Sequence, residues 1–306
     1  MADQKLSALG QLAKPDLEDL SYIVDNPGVA PAEKKTTQSI LMGEMVGLVP
    51  GGRLTLTTAT PVPLTDVTAA TTIYYTPHTH NKIQLYDGTT WKMYAFSEIS
   101  IAVPATTVTM YDIWAYDSGG AVTLEVLAWT DDETRATALT RQDGVYVKSG
   151  ATTRRYLGSF RTTGASGQTE DSKANRFLYN YYNKVIRWGY REDFTGHGYT
   201  TGTYRPWNND TANRVSFVQG LYENDIAINA GFQLYGNAGS DINVGIGADS
   251  TVAATLRAEN KSGTSMYIWV AGVNGRLEGY HFYQAIEYGG AGGTFNELRI
   301  HAQYWM

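Results

Sequence analysis

The sequence contains no cysteine. That excludes a disulfide framework and every cysteine-ligated zinc or iron–sulfur site. Charge is scarce as well. Asp, Glu, Lys and Arg make up 18% of the chain, against roughly 25% in an average soluble domain. Lysine occurs only 10 times in 306 residues, and Lys5, Lys14, Lys34 and Lys35 crowd the start. The balance is acidic, with 24 basic against 30 acidic residues, so the basic footprint of a nucleic-acid-binding protein is missing. Long apolar runs are also missing. The most apolar stretch, Ile40 to Val49, is broken by Glu44 and falls far short of the roughly 20 residues needed to span a bilayer. The opening Met1-Ala2-Asp3-Gln4-Lys5 has no basic segment followed by an apolar one. A soluble chain without membrane insertion or a secretory signal of its own is therefore expected.

What is abundant is Thr, Gly and Tyr, at 36, 32 and 22 residues. Thr and Tyr suit strands, Gly suits the turns between them, and none of the three is a strong helix former. An all-β fold is expected, in three zones. Residues 1–50 read as a small mixed module. In it Asp16 to Leu20 suits a helical turn, Ser21 to Asp25 a short strand, Asn26-Pro27-Gly28 a turn, and Thr37 to Met45 a second helical turn. Pro50-Gly51-Gly52 closes the zone. Residues 51–168 read as an antiparallel β domain. Lys82 to Tyr86 and Trp91 to Phe96 flank Asp87-Gly88, a strong hairpin signal. Tyr111 to Tyr116 pairs in the same way with Val122 to Trp129, and Val145 to Val147 with Arg155 to Phe160. Val122, Leu124, Val126 and Ala128 fall on one face at period two.

Residues 164–175 are polar and turn-rich, which suits a linker. Residues 169–306 read as a jelly-roll-like knob. Arg176 to Ile186 fits a helix face or a strand face, and its aromatics favour the strand. Further strands are expected at Arg214 to Gln219, Ile226 to Leu234, Asn243 to Gly247, Met266 to Ala271, Tyr280 to Tyr288 and Glu297 to Trp305. The absence of an internal repeat argues against a propeller or β-helix. The terminal strand, Leu298 to Met306, is expected at a sheet edge that an oligomer would cover. Low charge with many Tyr and Trp also suits surface buried between subunits.

Several segments resemble tailed-bacteriophage virion proteins. They are Leu85-Tyr86-Asp87-Gly88-Thr89-Thr90-Trp91, Leu127-Ala128-Trp129-Thr130, Thr134 to Leu139, Gln142-Asp143-Gly144, Lys148 to Gly158, and Gly167 to Val185. Together, in order, they cover roughly residues 53–185. Lys5 to Leu9, Asp19 to Asp25 and Lys34-Lys35-Thr36-Thr37 resemble the N-terminal modules of phage fibres and head or tail appendages. The last third is similar to trimeric jelly-roll knobs. The resemblance implies a structural virion protein, a homotrimeric tail fibre, head fibre or capsid decoration. Its N-terminal module would join other virion proteins, and its exposed part would contact a host glycan or receptor.

Little in the sequence points to catalysis. His78-Thr79-His80 is the one metal-like spacing, because residues two apart share a strand face and three chains could offer six imidazoles to one ion. Pro77 and Asn81 around the pair favour a solvated loop. His197, His281 and His301 are isolated. The acidic clusters Glu18-Asp19, Asp131-Asp132-Glu133, Glu170-Asp171 and Glu192-Asp193 fall in polar, turn-like segments, whereas a glycosidase needs two carboxylates held across a cleft. Gly231, Gly245 and Gly247 suit close backbone approach within strands better than a phosphate cradle. Trp188, Tyr190, Phe194, Tyr199, Tyr204 and Trp207 suit a receptor surface or a subunit interface equally. No catalytic, metal or cofactor residue is assigned. The reading is a non-enzymatic appendage, with a carbohydrate-binding module outside any virion and a capsule-degrading glycosidase as alternatives.

Overall fold

The computed structural model describes residues 20–25, 32–37, 49–236, 239, 241–275, 277–290 and 292–306. The chain divides into two compact units, Met1–Val49 and Pro50–Met306. In the first, Leu20–Asp25 and Ala32–Thr37 pair antiparallel, with Ser21 opposite Thr36 and Val24 opposite Glu33. The strand expected at Ser21 to Asp25 is thus present. The helical turns expected at 16–20 and 37–45, and the turn at 26–28, lie outside the described residues apart from Leu20 and Thr37, which belong to the two strands.

The fold is all-β, and the described residues hold no α-helix, only a short 3-10 turn at Trp207–Asn209. Eight strands build a jelly roll in the last third of the chain. In chain order they are Ile186–Asp193, Arg214–Gln219, Ile226–Gly236, Ile242–Ala248, Leu256–Asn260, Ser265–Asn274, Gly279–Tyr288 and Gly293–Trp305. The first, eighth, third and sixth lie side by side in one sheet; the fifth, fourth, seventh and second do so in the other. That alternation between sheets is the double Greek key of a jelly roll. Period two decides which side chains meet between the sheets. Ile226, Ile228, Ala230, Phe232 and Leu234 point inward from the third strand. They pack with Leu298, Ile300, Ala302 and Tyr304 of the eighth and with Val244, Ile246, Tyr283 and Ala285 of the facing sheet. Each such large apolar side chain contributes about 1.5–3 kcal/mol on burial.

The preceding part is built on a six-stranded sheet. Ala121–Ala128, Met110–Ser118, Ala151–Arg161, Val145–Lys148 and Leu139–Gln142 follow one another, and Leu178–Asn180 adds to the third of these. The expected hairpin pairs Lys82–Tyr86 with Trp91–Ala95. Its turn is held by Asp87, whose Oδ1 accepts the Thr89 and Thr90 N–H groups at 2.8 Å, while Gly88 takes φ +103°. This hairpin and the small sheet of Gly52–Thr55, Thr72–Pro77 and Ile99–Ala102 cover one face of the larger sheet, sharing the core of Ile73, Ile83, Leu85, Ile113, Leu157 and Phe160. Val122, Leu124, Val126 and Ala128 pack into that core, as their period implies.

The other face meets the jelly roll through Met110, Trp114, Tyr156 and Tyr179, packed with Val218 and Leu221. A buried polar group pins the joint. The Asp112 carboxylate accepts the Ser159 hydroxyl at 2.7 Å and the Arg135 Nε–H at 2.9 Å. Arg135 also donates to the Gly220 carbonyl and pairs with Glu278. Burial pushes the Asp112 carboxyl above its ordinary value, and Arg135 opposes that shift.

Two expectations are corrected. The segment read as a linker contains the strand Thr169–Asp171 and the start of Asn175–Arg176. The first pairs with Val67–Ala70, so a sheet crosses the boundary expected at 168/169. Polar residues build it, since Thr169 is fully buried and its hydroxyl donates to the Arg161 carbonyl at 2.7 Å. The C-terminal strand is not an edge either. Gly293–Trp305 is hydrogen-bonded on both sides, to Ile186–Asp193 and to Ile226–Gly236.

Candidate functional site

The outer face of the sheet holding Gly293–Trp305 concentrates the exposed aromatics. Residues opposite one another share a face. One row across the sheet reads Trp188, Gln303, Ala227, Val273; the next reads Tyr190, His301, Asn229, Ala271; a third reads Glu192, Arg299, Gly231, Trp269. The centre is small or polar, and the bulk stands at the two edges.

One edge is the strand Ser265–Asn274, which pairs only with Ile226–Gly236 among the described residues. Tyr267 and Trp269 are each 62% exposed on it, and Val273 is 69% exposed. A Cβ built on Gly231 would lie 2.9–3.0 Å from three atoms of the Trp269 indole. The indole therefore lies against the bare backbone of Gly231 and leaves its other side to solvent.

The opposite edge, Ile186–Asp193, borders a hollow of about 440 Å³, within the roughly 300–1,000 Å³ usual for small-ligand sites. Lys173, Arg176, Arg187, Trp188, Tyr190 and His301 line it. The Asp171 carboxylate bridges Arg176 and Arg187, each at 2.9 Å. Arg176 also donates from Nε and Nη2 to the Trp188 carbonyl, which fixes the strand against it. Arg187 donates to the Pro63 carbonyl at 2.8 Å, while its buried Nε has no hydrogen-bond partner among the described residues. Tyr190 and His301 pack with their rings tilted, centroids 4.6 Å apart. Burial, with Arg299 beside it, holds the His301 pKa below the ordinary value, so the ring is neutral at pH 7.

The structure separates the aromatic cluster read between residues 188 and 210. Trp188 and Phe194 are exposed, and Tyr190 stands beside Trp188 in the hollow. Trp207 is fully buried, tilted against Phe232 and edge-on to Phe295. It belongs to the core and to neither a receptor surface nor an interface. Tyr204 packs on Tyr288 at 5.3 Å. His78 and His80 fall in a bend after Thr72–Pro77, where strand alternation does not apply. His80 Nδ1 accepts the Lys82 N–H at 3.2 Å, and its ring lies close over Gly51. Among the described residues, no group of three or more His, Cys, Asp or Glu is arranged to hold a metal ion.

The acidic clusters are tied into local structure. Asp131 accepts the Glu133 and Thr134 N–H groups, and Asp132 takes a two-pronged contact from Arg161 at 2.8 and 2.9 Å. Asp193 accepts from Thr195 N–H, Asn208 and Asn213. Glu18 and Asp19 lie outside the described residues. Close approach explains the three glycines: a Cβ at Gly245 would meet the Leu256 carbonyl oxygen at 2.3 Å, and one at Gly247 the Ser250 oxygen at 2.1 Å.

Sequence reasoning missed a buried ion group at one end of the jelly roll. Glu287, fully buried, accepts from His197 Nε2 at 2.5 Å and from Arg205 Nε at 2.7 Å. His197 Nδ1 faces the Thr195 carbonyl at 3.0 Å. Both ring nitrogens thus face acceptors, which requires an imidazolium. Only the raised aromatic content around His197 hinted at it.

No protein-family model matches the sequence, and no curated protein matches it. Solved structures show distant likeness. Latent dimeric PorU from Porphyromonas gingivalis aligns with 65% of this chain and 20% of its own, at 9% identity and a TM-score of 0.28. BuGH86 in complex with neoagarooctaose aligns with 93% of this chain and 40% of its own, at 8% identity and a TM-score of 0.25. A Bacillus thuringiensis Cry1Da tryptic core variant aligns with 93% and 58%, at 8% identity and a TM-score of 0.21. The chain thus spans well under two thirds of each, and likeness at this level carries no functional argument.

Proposed function

We propose that this chain is a non-enzymatic structural protein of a tailed-bacteriophage particle, a homotrimeric appendage whose jelly roll carries both self-association and outward contact. One observation carries the assembly part of this reading. The edge strand Ser265–Asn274, paired on one side only among the described residues, exposes Tyr267, Trp269 and Val273 together. An open strand with an apolar face invites pairing, and soluble proteins normally blunt such edges with charge. This edge replaces the C-terminal strand as the surface a neighbouring copy would cover. The phage context is supported by the ordered set of segments between residues 53 and 185 that resemble virion proteins. The unit Met1–Val49 is the part proposed to join other virion proteins.

A second reading, a glycan-binding module outside any particle, is favoured by Trp269. A flat indole open on one side suits stacking against a sugar ring. Antibody labelling of purified phage particles separates the two. Gold on a fixed site of the particle is the expected result; protein found only in the soluble fraction of the lysate would overturn the virion reading.

A further inference from the structure

Lys173, Arg176 and Arg187 bring three cations to one hollow on a chain whose net charge is −6. Asp171 offsets part of that charge by bridging the two arginines. Lys173 has no ion pair among the described residues, and the Arg187 Nε is buried without a partner there. Beside these donors stand Trp188, 53% exposed, and the tilted Tyr190–His301 pair. Fixed cation donors next to a flat aromatic wall recognise a ring that bears one anionic group. A neighbouring hollow, reached past Lys173 and Tyr190, is lined by Asp66, Glu170 and Glu192, which disfavours a second anion on that side.

We propose that this hollow is a binding site for a carboxylated sugar unit of an acidic polysaccharide. The carboxylate meets Lys173, with the Arg187 guanidinium beside it in the lining, and the ring lies against Trp188. The site is at the opposite edge of its sheet from Ser265–Asn274, three strand spacings or roughly 14 Å away. It therefore stays open when that edge is covered. The inference goes beyond the particle reading, because the site would bind whether or not the chain is mounted on a virion.

Calorimetric titration of the full chain with trimers of galacturonate, glucuronate and mannuronate tests it, with neutral trimers of the parent hexoses and inorganic phosphate as comparisons. At least one uronate trimer should bind about tenfold or more tighter than its neutral counterpart, the worth of one charge-assisted contact. Lys173→Met and Trp188→Ala, both at exposed side chains, should each weaken that binding about tenfold. Val252→Ala, exposed and outside the hollow, should leave it unchanged. Equal binding of neutral trimers, competition by phosphate alone, or no saturable binding by any uronate would overturn the proposal. The oligomer mass is measured on the same samples. Trimers that ignore uronates sink the ligand site alone, and monomers that bind them sink the assembly reading alone.

Discussion

At the scale of single residues, His197 is the most consequential group that sequence reading left unassigned. Burial opposes its charge, but hydrogen bonds to Glu287 and to the Thr195 carbonyl outweigh that and raise its pKa; Arg205 nearby acts the other way. A raised folded-state pKa gives stability that is fully present below the unfolded value of about 6.5 and lost as pH rises through the folded value. Urea midpoints should therefore fall as pH increases through that window. His197→Gln should flatten the fall, and an unchanged slope would show that the imidazolium contributes nothing. The glycines illustrate what residues alone do reveal. A glycine inside a strand pattern implies close approach, and Gly245 meets the Leu256 carbonyl as that rule requires. Trp207 illustrates the limit. Neighbouring Gly, Thr and Asn made it look like surface, yet distant Phe232 and Phe295 enclose it.

At the scale of elements, most jelly-roll strands were legible because inward apolar residues recur at period two. Arg214–Gln219 stands where it was expected, and five others differ only at their ends. Two were missed for physical reasons. Ile186–Asp193 alternates in reverse, with Ile186 and Trp188 exposed and Gly189 pressed on Tyr304. Leu256–Asn260 offers one large apolar residue, so its period is invisible without the neighbour it pairs with. The candidate hollow was less legible still, since it joins Lys173 of the supposed linker and Arg176 just after it to Trp188 and the distant His301.

Two element-scale outcomes follow from the sheet order. Replacing both Trp269 and Val273 by Lys should abolish self-association, because edge charge resists pairing. Exposed substitutions cost about 0.5 kcal/mol or less, so the melting temperature of the subunit should hardly move. Sedimentation and thermal melts check the pair of results. Deleting Leu298 to Met306 should instead unfold the jelly roll, since it removes a strand bonded on both sides along with Ile300, Ala302 and Tyr304 from the core. Loss of the near-ultraviolet aromatic signal would register this; a truncated chain that melts like the intact one would contradict the central position of that strand.

At the scale of the whole molecule, Pro50–Met306 is one unit in which a six-stranded sheet and a jelly roll share a packed joint. Its start is structural. Asn183 Nδ2 donates to the Pro50 and Gly52 carbonyls at 2.7 and 2.9 Å, so a chain shortened to Arg53 would lose both contacts, and one shortened to Pro50 would keep them. We propose that this unit associates through the open strand Ser265–Asn274 into a trimer. Native mass spectrometry of the full chain at micromolar concentration tests it most directly. A single dominant species of three copies of the 33.6 kDa chain is expected, converted to monomer by the Trp269 and Val273 lysine pair. A stable monomer from the unaltered chain, or a trimer that survives both lysines, would contradict it.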